Sequence, residues 1–228
     1  MTMNGVRHAL PGAQGDPAKG AAAYTRTALS VYDVFVLGFS NSFAWKCPSR
    51  FILDFYDQRV SERHLDVGVG TGYFLDKCRF PSPSPFIALL DLNPNSLRAT
   101  AKRLRRYGPS CYRADVLQSI DGDMPEFSSI GLNYLLHCLP GNLSSKSVVF
   151  ENLKPLLRTG GVIFGSTLLG QGVQRNCLAQ TLTDLYNKKG IFSNTDDGLG
   201  DLEAGLQKHF ANCSVQVKGC VALFSARK

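Results

Sequence analysis

The stretch His64-Leu65-Asp66-Val67-Gly68-Val69-Gly70-Thr71-Gly72 constrains this chain more than any other. It reads as a short apolar strand that carries an acid and runs into a loop with glycine at every second position. Glycine has no Cβ, so the backbone turns sharply there and lies close to a ligand. A helix is expected from Tyr73, and its unpaired N–H groups would face whatever the loop cradles. The pattern Asp-x-Gly-x-Gly-x-Gly differs from the Gly-x-Gly-x-x-Gly of dinucleotide sites, which weighs against a nicotinamide enzyme.

Two further acids follow strand-like runs. Phe86-Ile87-Ala88-Leu89-Leu90 ends in Asp91, and Cys111-Tyr112-Arg113-Ala114 ends in Asp115. A carboxylate about 20 residues beyond such a loop suits hydrogen bonds from two ribose hydroxyls. In an open α/β sheet, ligands bind beyond the carboxyl ends of the strands, so Asp66, Asp91 and Asp115 would line one crevice. Strands are expected at 63–67, 86–91, 110–114, 127–136 and 162–168, the last entered through a turn at Gly160-Gly161. Helices are expected at 24–38, 48–59, 73–78, from 94 to Tyr107, and at 146–157, 174–188 and 201–210. Two β-rich runs within 213–226, split by Lys218-Gly219, form a hairpin. The alternation predicts an α/β fold: a mostly parallel sheet with helices on both faces.

These pieces resemble the class I S-adenosylmethionine-dependent methyltransferases. The resemblance rests on Leu65-Asp66-Val67-Gly68-Val69-Gly70-Thr71-Gly72, Leu90-Asp91-Leu92-Asn93, Ala114-Asp115-Val116, Leu136-His137-Cys138-Leu139-Pro140-Gly141 and Leu156-Leu157-Arg158-Thr159-Gly160-Gly161-Val162-Ile163-Phe164, in that order. It covers roughly Leu65 to Leu168 and extends more loosely to Lys228. It implies a Rossmann-like, seven-stranded sheet closed by an antiparallel C-terminal hairpin. It also implies S-adenosylmethionine as cofactor and S-adenosylhomocysteine as product. Gly68, Gly70 and Gly72 would pack on the methionine part and Asp66 would face its amino group. Asp91, with Leu92 beside it, would take the ribose, and Asp115 with the N–H of Val116 would read the adenine.

Composition narrows the setting. With 44% hydrophobic and 19% charged residues the chain reads as a soluble globular domain. No apolar run approaches the roughly 18 residues of a membrane helix. Residues 1–22 lack a core-forming pattern and are expected to be a disordered tail; 23–228 read as one domain. The seven cysteines include no Cys-x-x-Cys pair, so a reducing, cytoplasmic compartment and no metal site are expected. The net charge of +7 is concentrated in Arg98, Lys102, Arg103, Arg105 and Arg106. No aromatic residues interleave with them, so they read as a solvated helix face rather than a nucleic-acid groove.

His137, placed by the pattern at the end of the fourth strand, is a candidate general base, or a histidine simply hydrogen-bonded at the strand edge. Residues 23–60 read as a helical lid. Its Tyr32 and Trp45 are candidates for walls of the cofactor pocket, and Tyr32 is a second catalytic candidate. With no Asn-Pro-Pro-Tyr, no metal constellation and no nucleic-acid or membrane appendage, the reading is methyl transfer to a small organic molecule, a specialised metabolite. A methyltransferase-fold cyclase or isomerase and a non-catalytic partner subunit are the alternatives.

Overall fold

A computed structural model describes residues 33–120 and 124–228, with side chains from Phe39 onward. A π-helical segment, Asp33–Ala44, leads into α1 (Ser49–Asp57). The chain continues through β1 (Arg63–Val67), α2 (Tyr73–Lys77), β2 (Phe86–Asp91), α3 (Pro94–Arg103) and β3 (Ser110–Arg113). Next come β4 (Phe127–Asn133), α4 (Leu143–Lys146), α5 (Val148–Leu153), β5 (Leu157–Leu168), α6 (Cys177–Lys188), α7 (Leu199–His209), β6 (Asn212–Lys218) and β7 (Val221–Arg227). The strands form one seven-stranded sheet in the order β3-β2-β1-β4-β5-β7-β6. Only β7 runs against its neighbours. The expected parallel sheet with a terminal hairpin is therefore present.

Side-chain alternation along the strands covers both faces. On one face Leu65, Val67, Leu90, Ile130 and Leu132 pack with Val149 and Leu206. On the other, Ile87, Leu89 and Phe164 meet α1 and α2. Helix α1 buries Ile52, Phe55 and Tyr56, three or four residues apart and so on one face. The Tyr56 ring stands edge-on to Phe164 at 4.9 Å between centroids.

Two strand boundaries differ from the sequence expectation by three residues or more. β4 ends at Asn133 rather than at residue 136, because Tyr134 adopts φ +55° and turns the chain into a short 3₁₀ turn, Leu136–Cys138. β5 begins at Leu157, five residues early. Gly160-Gly161 lie inside it, in an irregularity opposite Phe127–Ser129, and hydrogen-bond the terminal residue Lys228 instead of making a turn. The expected helix 146–157 is two short helices. Asn142 caps the first by accepting from the Ser145 N–H, and Pro155 interrupts regular winding.

One ion pair ties the 193–197 loop to α4. Lys146 Nζ donates to Asp197 at 2.6 Å and to the Ser193 carbonyl at 2.6 Å, with both charged side chains fully buried. Removing one partner strands the other charge in the core. Lys146→Met should therefore cost about 3–5 kcal/mol in urea unfolding, and Lys146→Met with Asp197→Leu should recover most of the loss.

Candidate active site

The order of the strands reverses about β1, which has β2 on one side and β4 on the other. A crevice opens there at the carboxyl ends of the strands. Its lining leaves about 700 Å³ of non-atom space, open solvent included. Its walls include Gly68, Gly70, Asp91, Leu92, Asp115 and Val116, six of the residues singled out in the sequence. A second opening across the same glycine loop is lined by Asp66, Gly72, Asn133 and Tyr134.

The loop itself is held from two sides. Gly68, Gly70 and Gly72 all have positive φ. Thr100 on α3 donates from Oγ1 to the Gly70 carbonyl at 3.2 Å, and Gly72 precedes the first turn of α2. At Gly70 an added Cβ would meet nothing within 4 Å, so that face of the loop is open to the crevice.

Asp91 closes β2. Its Oδ1 accepts the Asn93 N–H at 2.8 Å, and burial raises its pKa from 3.8 to about 6, with the N–H groups of Asn93, Gly70 and Val69 opposing the rise. This half-buried carboxylate still has lone pairs free to accept further donors. Asp115 accepts the Leu117 N–H at 3.0 Å, and Asn152 Nδ2 donates to the Val116 carbonyl at 2.9 Å, fixing the loop after β3. Asp66, 8% exposed, accepts from the Tyr56 hydroxyl at 3.1 Å.

Other sequence candidates lie elsewhere. His137 is not at a strand end. It sits in the 3₁₀ turn, 3% exposed, with Nδ1 3.4 Å from both the Leu168 N–H and Thr167 Oγ1 and with the Phe192 ring edge-on at 4.7 Å. Burial, reinforced by Lys146, lowers its pKa from 6.5 to about 3. Trp45 is 2% exposed and is not among the crevice walls. Its carbonyl accepts the Cys220 N–H at the hairpin turn, and its indole packs near Phe192. Tyr32 lies outside the described residues.

The sequence reading missed Tyr134 and Asn133. Tyr134 borders both openings, and its hydroxyl donates to Asn41 Oδ1 at 2.9 Å. Asn133 Oδ1 accepts from Ser166 Oγ at 3.1 Å, while its Nδ2 is a buried donor without a protein partner. A positive φ at a bulky residue is strain of the kind found at functional sites, but no residue pattern announces it.

This crevice, set over a reversed strand order and a glycine loop, is that of a Rossmann-like methyltransferase. The chain matches the methyltransferase domain family over residues 65–163. It is 38% identical over 207 residues to demethylluteothin O-methyltransferase of Streptomyces thioluteus, spanning 91% of this chain and 90% of that protein. It is 34% identical over 212 residues to the physcion biosynthesis cluster O-methyltransferase of Aspergillus chevalieri, spanning 92% and 95%. The solved structure of DhpI in complex with SAH superposes with a TM-score of 0.65 at 14% identity, over 95% of this chain and 98% of that one, a likeness of fold. The chain belongs to the class I S-adenosylmethionine-dependent methyltransferases of the small-molecule type.

Its residues fit that cofactor. The open face at Gly70, the half-buried Asp91 carboxylate and the unpartnered Asn133 Nδ2 offer a polar molecule a cradle, an acceptor and a donor. Gly70→Val would put a branched side chain into the crevice at φ +52°. It should cost about 1–3 kcal/mol of stability in urea unfolding. It should also abolish S-adenosylhomocysteine binding measured by calorimetry.

Proposed function

We propose that this enzyme methylates a hydroxyl oxygen of a small organic molecule of specialised metabolism. The observation that carries the proposal is the near full-length match to two named O-methyltransferases. Bound S-adenosylmethionine supplies an electrophilic methyl group on a sulfonium. Transfer of that methyl group to the substrate's hydroxyl oxygen would release S-adenosylhomocysteine and one proton. The protein's work is to align the reactants and to take up the proton.

Within the crevice, Asp91 accepts the ribose hydroxyls, Asp115 and the Val116 N–H take the adenine, and Asp66 faces the amino group. Residues 23–60 act as the lid, and Trp45 anchors it to the hairpin turn rather than facing the crevice. No helix among the described residues is long and apolar enough to cross a membrane. The seven free cysteines favour a cytoplasmic setting. Incubation with methyl-labelled cofactor and a panel of hydroxylated metabolites tests the proposal: the label should appear as a methoxy group. Turnover that leaves the label on the cofactor would overturn it.

Ionised Asp91 is the form that ribose hydroxyls stabilise, so cofactor binding below about pH 6 expels a proton from it. Affinity for S-adenosylhomocysteine should fall as the pH drops through about 6, by up to about tenfold per unit. Asp91→Asn should weaken binding above neutrality and flatten this dependence. The raised pKa also makes the ligand-free fold lose this group's stabilisation as pH rises from 3.8 to about 6.

His137 is the proposed proton acceptor, through Nε2. The Leu168 N–H points at Nδ1 as a donor from 3.4 Å, so this role requires that long contact to give way to an Nδ1–H accepted by Thr167 Oγ1, also at 3.4 Å. With its pKa at about 3 the ring is neutral through the working range, so kcat should show no step near 6.5 from this group. His137→Ala should lower kcat by about 10²-fold or more and leave cofactor affinity unchanged. Unchanged kcat in that variant would reduce His137 to a packing role.

A further inference from the structure

We propose that Tyr56 and His64 are positioning residues, which hold Asp66 toward the amino-acid end of the cofactor through a buried hydrogen-bond chain. Tyr56 Oη lies 2.6 Å from His64 Nε2 and donates to Asp66 Oδ1 at 3.1 Å. His64 Nδ1 lies 2.8 Å from Ser129 Oγ, which lies 2.8 Å from Ser61 Oγ and accepts the Ser61 N–H at 2.9 Å. Ser61 Oγ in turn donates to the Arg63 carbonyl at 3.0 Å.

Tyr56 has one hydroxyl hydrogen and directs it at Asp66, so His64 Nε2–H donates to Tyr56. Behind it, the Ser129 hydroxyl and His64 Nδ1 share one hydrogen, and Ser61 donates to the Arg63 carbonyl. The chain therefore ends in a single oriented donor aimed at one carboxylate oxygen. Burial, then Asp66, pushes the Tyr56 pKa well above 10, so the phenol keeps its hydrogen.

Three features of the fold serve this line. His64 and Asp66 are two apart on β1 and share one face of the sheet. Ser129 is the register partner of His64, and Gly131 is the partner of Asp66. A Cβ at Gly131 would come within 3.0 Å of Asp66 Oδ1 and 3.2 Å of His64 Cε1, so glycine there leaves the line its space. Tyr56, His64 and Ser129 are buried, with Phe74 stacked on Tyr56 and Phe164 edge-on to it. Apolar residues of similar volume would fill such a core as well or better. The polar line instead fixes the one member that lines the second opening across the glycine loop, Asp66.

The inference rests on the reading of Asp66 as partner of the cofactor's amino group. The test compares two ligands by calorimetry on the full chain. S-adenosylhomocysteine carries the amino acid, and 5′-methylthioadenosine keeps the nucleoside but lacks it. Tyr56→Phe should weaken S-adenosylhomocysteine about tenfold or more, the scale of a lost hydrogen bond to a charged group, and leave methylthioadenosine unchanged. Equal weakening of both ligands, or of neither, would overturn the proposal, because a purely structural role does not discriminate between them. Should Tyr56→Phe fail to fold, Ser129→Ala decides by the same ratio, since it removes the far hydrogen bond without touching a ring or Asp66. Asp66→Asn, run in parallel, separates the two layers. If it discriminates and the Tyr56 variant does not, only the positioning role falls. If it does not discriminate, the assignment of Asp66 falls and the proposal with it.

Discussion

The central strand β1 pairs in parallel with β2 through Arg63–Val67 and with β4 through His64–Asp66. The sheet therefore winds outward in both directions from it, and the loops after β1, β2, β3 and β4 gather at one end. A gap between diverging loops follows from that pairing alone. What fills the rim of the gap is set by the residue at each strand end, and these are the glycine loop, Asp91, Asp115 and Tyr134. The cofactor crevice is thus a consequence of strand order, and its chemistry a consequence of four strand ends.

Two buried polar systems sit on this frame and serve different ends. The Lys146–Asp197 pair pins the 193–197 loop, and Ser193 in that loop donates its N–H to the His137 carbonyl at 2.8 Å. The adjoining Phe192 closes over the His137 ring. The Tyr56–His64 line runs under β1 and ends on Asp66. Neither is needed to bury apolar surface, and both cost desolvation. Each holds a segment next to the crevice in one arrangement, the tolerance that aligned methyl transfer demands.

Much of the site was legible in the residues because its signals are local. Alternating glycines mark positive φ and close approach, and an acid at the end of an apolar run marks a strand end. Gly68, Gly70, Asp91, Leu92, Asp115 and Val116 line one crevice for that reason. His137 was placed at the end of the fourth strand, yet it lies past Asn133, where β4 ends, buried in the 3₁₀ turn Leu136–Cys138. The strand stops early at Tyr134, whose positive φ depends on its pairing with Ser166 and its bond to Asn41. Trp45 looked like a lid aromatic, yet its backbone is tied to the hairpin turn 175 positions later in the chain.

Fold class, the glycine cradle and the acids at the strand ends could be read from the residues alone, since period, turn chemistry and spacing act over a few positions. The tertiary structure alone decided the environment of each ionisable group. Burial raises Asp91 and lowers His137. The register of β1 on β4 sets Ser129 beside His64 and Gly131 beside Asp66. Such terms depend on which distant segments pack together, and a one-dimensional pattern carries the partners' identities without their contact.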